Sequence, residues 1–323
     1  MSERASPLWR NILRQNFTDW KALLSFLHLE DHKTVLRNPK FSLNLPTRLA
    51  DKIEKGNWQD PILRQFLPTV EELQSKPLFV SDPVSDACFQ KKPKLLHKYY
   101  GRALLLCTSA CAMHCRFCFR QHFDYEISDK LFEEEIALIA AEPTLSEIIL
   151  SGGDPLSLSD GQLRHILTAL DAIPHVKRIR FHTRFPIGIP ERIDDNFLQL
   201  IASCRAQIIF IIHCNHPREL DDDILDRLKK IRLLGIPILS QTVLLHQVND
   251  DFRTLKALFE RLVDNGIMPY YLHQLDRVQG AAHFEASEEK GRGLMEELAK
   301  ACSGYAIPKY VREVPNQPSK ISV

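Results

Sequence analysis

Three cysteines fall within eight residues of this chain, in Cys111-Ala-Met-His-Cys115-Arg-Phe-Cys118. Three thiolates so closely spaced can hold three irons of a 4Fe–4S cluster and leave the fourth iron without a protein ligand. A ferredoxin-type site supplies four cysteines. A structural zinc site also takes four ligands, commonly as two separated pairs. The missing fourth ligand is therefore informative, because an open iron can bind something else. His114 is a further donor, but it lies between two of the cysteines, where simultaneous chelation is strained. Three reduced, packed thiols are the bland reading, and so dense a pattern disfavours it.

Other residue types capable of chemistry are less telling alone. Ser151-Gly152-Gly153-Asp154-Pro155 is a turn in which glycine lets backbone approach a ligand closely. His213 and Gln241 are polar residues at or near strand ends, where such residues are usually just hydrogen-bonded. Lys320 could form a Schiff base with pyridoxal phosphate (PLP), yet it is one surface lysine among many.

The elements that must position these residues follow from periodicity. Apolar runs predict strands over Ala103–Thr108, Glu147–Ser151, Val176–Thr183, Gln207–His213, Ile238–Leu245 and Pro269–Gln274. Between them helical patterns cover Ser128–Glu142, Ser159–Ala172, Asp194–Cys204, Asp221–Leu234 and Asp251–Asn265, with a last one over Ser287–Cys302. Ser159-x-x-Gln162 reads as a capping box. Six βα units imply a parallel sheet buried on both faces. Six is too few for a closed eight-stranded barrel. The cysteines thus lie in the loop leaving the C-terminal end of the first strand, the end where α/β folds place their chemistry. Residues 1–95 read as a helical N-terminal segment packed on a barrel of residues 96–323. Helices are expected near Pro7–Leu13, Thr47–Lys55 and Asp60–Glu72, and no run of strands.

The 323 residues carry 42 Lys+Arg against 41 Asp+Glu, a net charge of +1. No bulk field favours nucleic acid or a membrane surface. No apolar run approaches the roughly 20 residues of a spanning helix, and Met1-Ser-Glu-Arg-Ala-Ser6 has no apolar signal core. The eight cysteines do not form a secreted disulfide framework, and an oxygen-sensitive cluster suits a reducing cytoplasm. Cys88, Cys107, Cys204, Cys214 and Cys302 read as packed free thiols.

CxxxCxxC with an aromatic residue before the last cysteine, here Phe117, resembles the signature of the radical S-adenosylmethionine (SAM) enzymes. The wider run Cys115-Arg-Phe-Cys-Phe-Arg120 is similar to the lysine 2,3-aminomutase family, in particular its short bacterial branch linked to elongation factor P. The similarity runs from about Asp60 to Lys320. It implies an open, curved (β/α)6 partial TIM barrel with three cofactors: a 4Fe–4S cluster on Cys111, Cys115 and Cys118, SAM, and PLP on Lys320. The resemblance places Phe117, Gly152, Gly153, Asp154, His213 and Gln241 near SAM. It places Arg102 at the PLP phosphate, with Lys98 as a second basic group, and Arg120 at the substrate carboxylate. The family's PLP lysine follows a Pro-containing, usually Gly-rich loop, whereas Pro315-Asn-Gln-Pro-Ser319 has no glycine. Two carboxylates hold the substrate's ε-ammonium in that family. Asp276 matches one, and Glu313, seven residues before Lys320, stands where the family has an aspartate.

The resemblance implies conversion of free L-lysine to β-lysine by a hydrogen-abstracting 5′-deoxyadenosyl radical and migration of nitrogen from the α- to the β-carbon. A reductant such as flavodoxin or ferredoxin would feed the cluster. The product would serve the ligase that modifies a lysine of elongation factor P. A 2,3-aminomutase for glutamate or arginine is one alternative, and a non-enzymatic zinc- or cluster-binding module is another.

Overall fold

The structure, a computed structural model, describes residues 6–125, 131–315 and 317–323. Strand β1 (Gln90–Lys92) and β2 (Leu95–Tyr99) form an antiparallel hairpin that pairs onto β3 (Arg102–Thr108). A parallel run then follows in chain order: β3, β4 (Glu147–Gly152), β5 (Arg178–Thr183), β6 (Gln207–His213), β7 (Ile238–Val243), β8 (Met268–His273) and β9 (Lys309–Arg312). Strand β10 (Ile321–Ser322) turns back antiparallel onto β9. The six expected strands are present, and β9 lengthens the parallel run. The hairpin β1–β2 lies where no strand was expected, because Lys91-Lys-Pro-Lys94 reads as a basic turn.

Four short helices precede the sheet: α1 (Leu8–Leu13), α2 (Trp20–Phe26), α3 (Thr47–Asp51) and α4 (Pro61–Phe66). Between strands come α5 (Glu133–Ala141), α6 (Asp160–Asp171), the single turn α7 (Phe185–Gly188), α8 (Asp195–Ala202), α9 (Asp222–Leu233), α10 (Phe252–Asp264) and α11 (Glu288–Ala301). The expected helix Ser128–Glu142 begins outside the described residues. Five of the interstrand helices, α6 and α8–α11, start where side-chain oxygens cap them. Ser159, Asp194, Asp221, Asp251 and Ser287 each accept a backbone N–H three residues on, a contact worth about 1 kcal/mol. The Ser159–Gln162 capping box is formed in full.

Alternation along the strands separates an outer face, packed under the helices, from an inner one. Along β5, Ile179, Phe181 and Thr183 are buried, while Arg178, Arg180 and His182 face a more open interior. Along β7, Ile238, Ser240 and Thr242 are buried and Leu239, Gln241 and Val243 are not fully so. Phe181, Phe197 and Phe210 meet with ring centroids 5.4–6.1 Å apart in the outer core, geometry favoured by the ring quadrupoles. The sheet curls: Lys98 of β2 lies 2.6 Å from Glu313, just after β9, although six strands separate β2 from β9. The fold is thus an open, curved α/β partial barrel whose two edges are bridged by side chains. Among the described residues no helix is long and apolar enough to cross a membrane.

Candidate active site

The three cysteines leave the C-terminal end of β3, as their position after an apolar run requires. Their loop has almost no regular structure, so its backbone groups need other partners, and the N-terminal segment supplies them. Asn16 donates to the Ala112 carbonyl (2.7 Å) and Asn44 to that of Cys111 (3.2 Å). The N–H of His114 donates to Asn44 O (2.9 Å) and that of Arg116 to Gln65 O (2.9 Å). Arg116, 1% exposed, forks onto Glu72 and donates to the Phe41 carbonyl. His114 stacks on Phe41 and contacts Ser42, turned toward the segment. On the other side, Gly152 (φ +113°) and Gly153 lie so close to the loop that a Cβ would collide with the Thr108 and Ala110 carbonyls. The space these glycines create is thus occupied by the cysteine loop. Asp154, wholly buried, accepts from Thr183 Oγ1 and from the N–H groups of Leu156, Arg184 and Phe185, so it organises the ends of β4 and β5.

The thiols are close enough to oppose one another's ionisation. Burial, then Asp154 and the other two cysteines, push Cys111 well above the usual thiol range. Burial and Cys115 push Cys118 to about 11. Burial also raises Cys115, against the pull of Arg184, whose Nη1 is 2.8 Å from its sulfur. Metal coordination removes this conflict by replacing protons with iron. Among the described residues no three His, Cys, Asp or Glu side chains could hold a single ion. A cubane spreads its ligands over a wider span, which a loop with three partly buried thiols and no fourth suits.

Phe117 stands edge-on to His213 at 5.7 Å. His213 is pushed down to about 3 by burial and by Arg184, so it is a neutral imidazole, with Nε2 3.2 Å from Asn215 Oδ1. Gln241 lies beside His213 in the β6–β7 register and beside Tyr271 in β8. Sequence reasoning missed Arg184, Glu219 and Gln65. They form a buried set in which Arg184 Nη2 donates to Gln65 Oε1 (2.7 Å) and Glu219 Oε2 (2.9 Å).

Lys320 lies just before β10, toward the opposite edge of the sheet from the cysteine loop. The β9–β10 register pairs Ile321 with Arg312, so Lys320 comes opposite Glu313, and the two form an ion pair. Glu313 also binds Lys98 (2.6 Å) and accepts from the Tyr99 hydroxyl. Burial pushes its carboxyl up, but Lys320, Lys98 and Tyr99 outweigh that and hold it at about 2. Asp276 is the opposite case. Burial raises it to about 7; Lys320 pulls it down, and Glu313 and Asp86 push it up. Arg120 is paired with Asp86 (2.8 Å), an acid the sequence reading did not single out, and reaches Ser151 Oγ at 3.5 Å. Arg102 lies 4.6 Å over the Tyr99 ring. On β5, Arg180 Nε and His182 Nε2 are buried without a hydrogen-bond partner. Burial, and the charges of Arg180, Lys320 and Arg120, hold His182 neutral. Orphaned polar groups beside a lysine are what a polar cofactor would satisfy. Asn316, in the loop before Lys320, lies outside the described residues.

All of the expected site residues line the strand ends or the interior of one curved sheet. Arg120 joins the halves, close enough to act on both Cys118 and His182.

Residues 105–259 match the Radical SAM superfamily. The chain is 43% identical over 319 residues to the L-lysine 2,3-aminomutase of Escherichia coli, covering 97% of this chain and 93% of that one. It is 39% identical over 323 residues to the enzyme of that name from Haemophilus influenzae, covering 98% and 96%. Among solved structures, a radical SAM methyltransferase from Sphaerobacter thermophilus shares the fold, with TM-score 0.51 and 18% identity over 68% of each chain. This chain belongs to the L-lysine 2,3-aminomutase family of radical SAM enzymes.

Proposed function

We propose that this isomerase converts L-lysine to β-lysine, and that the residues brought together above carry the roles their positions suggest. The observation that carries the reading is the pair of partly buried carboxylates, Asp276 and Glu313, beside Lys320. The cofactors of the family are a 4Fe–4S cluster, SAM and PLP. When bound, they supply the radical and the electron sink that a 1,2-shift of nitrogen needs.

Cys111, Cys115 and Cys118 hold the cluster. Phe117, His213, Gln241 and the Gly152–Gly153–Asp154 turn border SAM. Lys320 is the attachment point of PLP, and Arg102 faces its phosphate. Arg120 exchanges Asp86 for the substrate carboxylate, to which a guanidinium fork is matched. Asp276 receives the ε-ammonium. Among the described residues no cation touches it directly, and its burial cost is relieved when a charged amine arrives. Glu313 adds negative potential at the same end and receives the Lys320 ammonium when that lysine is free. A γ-carboxylate in place of the ε-ammonium would meet two acids, which disfavours glutamate.

A panel of free amino acids supplied anaerobically with SAM and reductant tests the reading. Lysine is expected to be consumed fastest, and faster use of glutamate or arginine would overturn it. We further propose that the product serves β-lysylation of elongation factor P in the cytoplasm, with flavodoxin or ferredoxin as reductant. Loss of the gene is expected to remove the β-lysyl mass from that factor.

A further inference from the structure

We propose that Arg184 is a positioning residue that raises the reduction potential of the cluster, with Glu219 as the counter-charge that limits the effect. The inference rests on the reading of Cys111, Cys115 and Cys118 as cluster ligands.

Arg184 follows β5 and is 5% exposed. One guanidinium nitrogen is 2.8 Å from Cys115 Sγ, and the other is shared by Gln65 (2.7 Å) and Glu219 (2.9 Å). Its backbone N–H donates to Asp154 at 2.8 Å. The group lies 5.0 Å from the Phe66 ring and 5.6 Å from the Phe117 ring. Held by sulfur, amide, carboxylate and rings, the cation cannot swing away from the cysteine. Asn215 donates to Gln65 at 3.0 Å and Gln65 donates to Glu219 at 3.0 Å, so the second row is itself fixed.

Reduction adds one electron, and so one negative charge, to the cluster, with no bond broken. Hydrogen bonds to the sulfurs and local charge are the protein's main means of shifting that equilibrium. A fixed cation on a ligand sulfur in a dry site favours the reduced form. A buried cation needs a partner, and Glu219 binds the amino group that does not touch the sulfur. Removing the cation should therefore lower the potential, and neutralising Glu219 should raise it. A purely structural role of the same residues would not produce opposite signs.

The test is a redox titration of reconstituted enzyme against mediators and dithionite, read by electron paramagnetic resonance of the reduced cluster. In Arg184→Gln the reduced-to-oxidised ratio at fixed potential is expected to fall about tenfold, which is 59 mV for a one-electron couple. Glu219→Gln is expected to shift it in the opposite direction, and Arg184→Lys to stay near wild type. Unmoved potentials, or shifts of one sign in both Gln variants, would overturn the inference. If Arg184→Gln does not assemble a cluster, Glu219→Gln decides alone: a rise supports the inference and no change ends it. Full iron content in Cys115→Ala would instead overturn the ligand reading beneath it.

Discussion

The cysteine loop and the Lys320 hairpin are held in different ways. At the loop, hydrogen bonds to the backbone do most of the holding, through Asn16, Asn44 and Gln65, with a single buried ion pair, Arg116–Glu72, beside them. At the hairpin, ion pairs between side chains do the holding: Lys320 and Lys98 gather on Glu313, with a hydrogen bond from the Tyr99 hydroxyl, and Arg120 pairs with Asp86. The first arrangement suits a cluster that stays in place through turnover. The second can be exchanged for charges of the same sign on a ligand, so it suits an incoming substrate. The comparison predicts that damage to one half leaves the other measurable.

The largest effects should come from the cysteines. Replacing Cys111, Cys115 or Cys118 by Ala is expected to abolish iron binding and SAM cleavage while circular dichroism and borohydride trapping of PLP persist. Full iron and wild-type turnover in any one of them would end the three-ligand account. Lys320→Ala is the converse case. It should lose covalent trapping of PLP and all aminomutase turnover, yet keep the cluster spectrum and uncoupled SAM cleavage. Trapping mapped to another lysine by mass spectrometry would contradict the assignment.

Asp276→Asn separates activity from stability. Lysine turnover should fall by about 2–5 kcal/mol, as for a charge left unpaired in a dry site, or roughly thirtyfold to several thousandfold. The ligand-free fold should gain stability. The Asp276 carboxyl is raised from 3.8 to about 7, so its ionised form burdens the folded state, and that burden grows as pH rises through this interval. At about 1.4 kcal/mol per tenfold change in proton affinity, the gain at pH 8 is of order a few kcal/mol, checked by urea midpoints at pH 4 and pH 8. Equal midpoint shifts at both pH values would refute the raised carboxyl.

Glu313→Gln should act in the opposite sense on the fold and less on turnover. Its carboxyl is lowered from 4.5 to about 2, so its contribution is present above 4.5 and lost as pH falls toward 2. The variant should be less stable at pH 7 by about 2–3 kcal/mol, with the difference vanishing in strong acid. An unchanged urea midpoint at pH 7 would show that the Lys98–Glu313–Lys320 group is unimportant to the empty enzyme.

The same contrast explains what was legible in the sequence. Apolar strands, the Ser and Asp caps and the cysteine spacing are local signals, and each lies within two or three residues of where it was expected. The ion-pair partners are not local. Arg184 meets Gln65 across 119 residues and Glu219 across 35, and nothing in the sequence near Asp86 announces Arg120. The strands β9 and β10 are too short to show periodicity, yet their register puts Lys320 opposite Glu313. Gly152 and Gly153 were legible as a close approach, but the structure shows that the approach is to the cysteine loop.

The central claim is a nitrogen shift within lysine itself, and nuclear magnetic resonance of the product tests it most directly. Lysine labelled with ¹⁵N at the α-amino group and ¹³C at the β-carbon should give, with reconstituted enzyme, SAM and reductant, a product in which the two labels share a one-bond coupling. Consumption of lysine without that coupling, or no consumption while the cluster is reduced and SAM is bound, would contradict it.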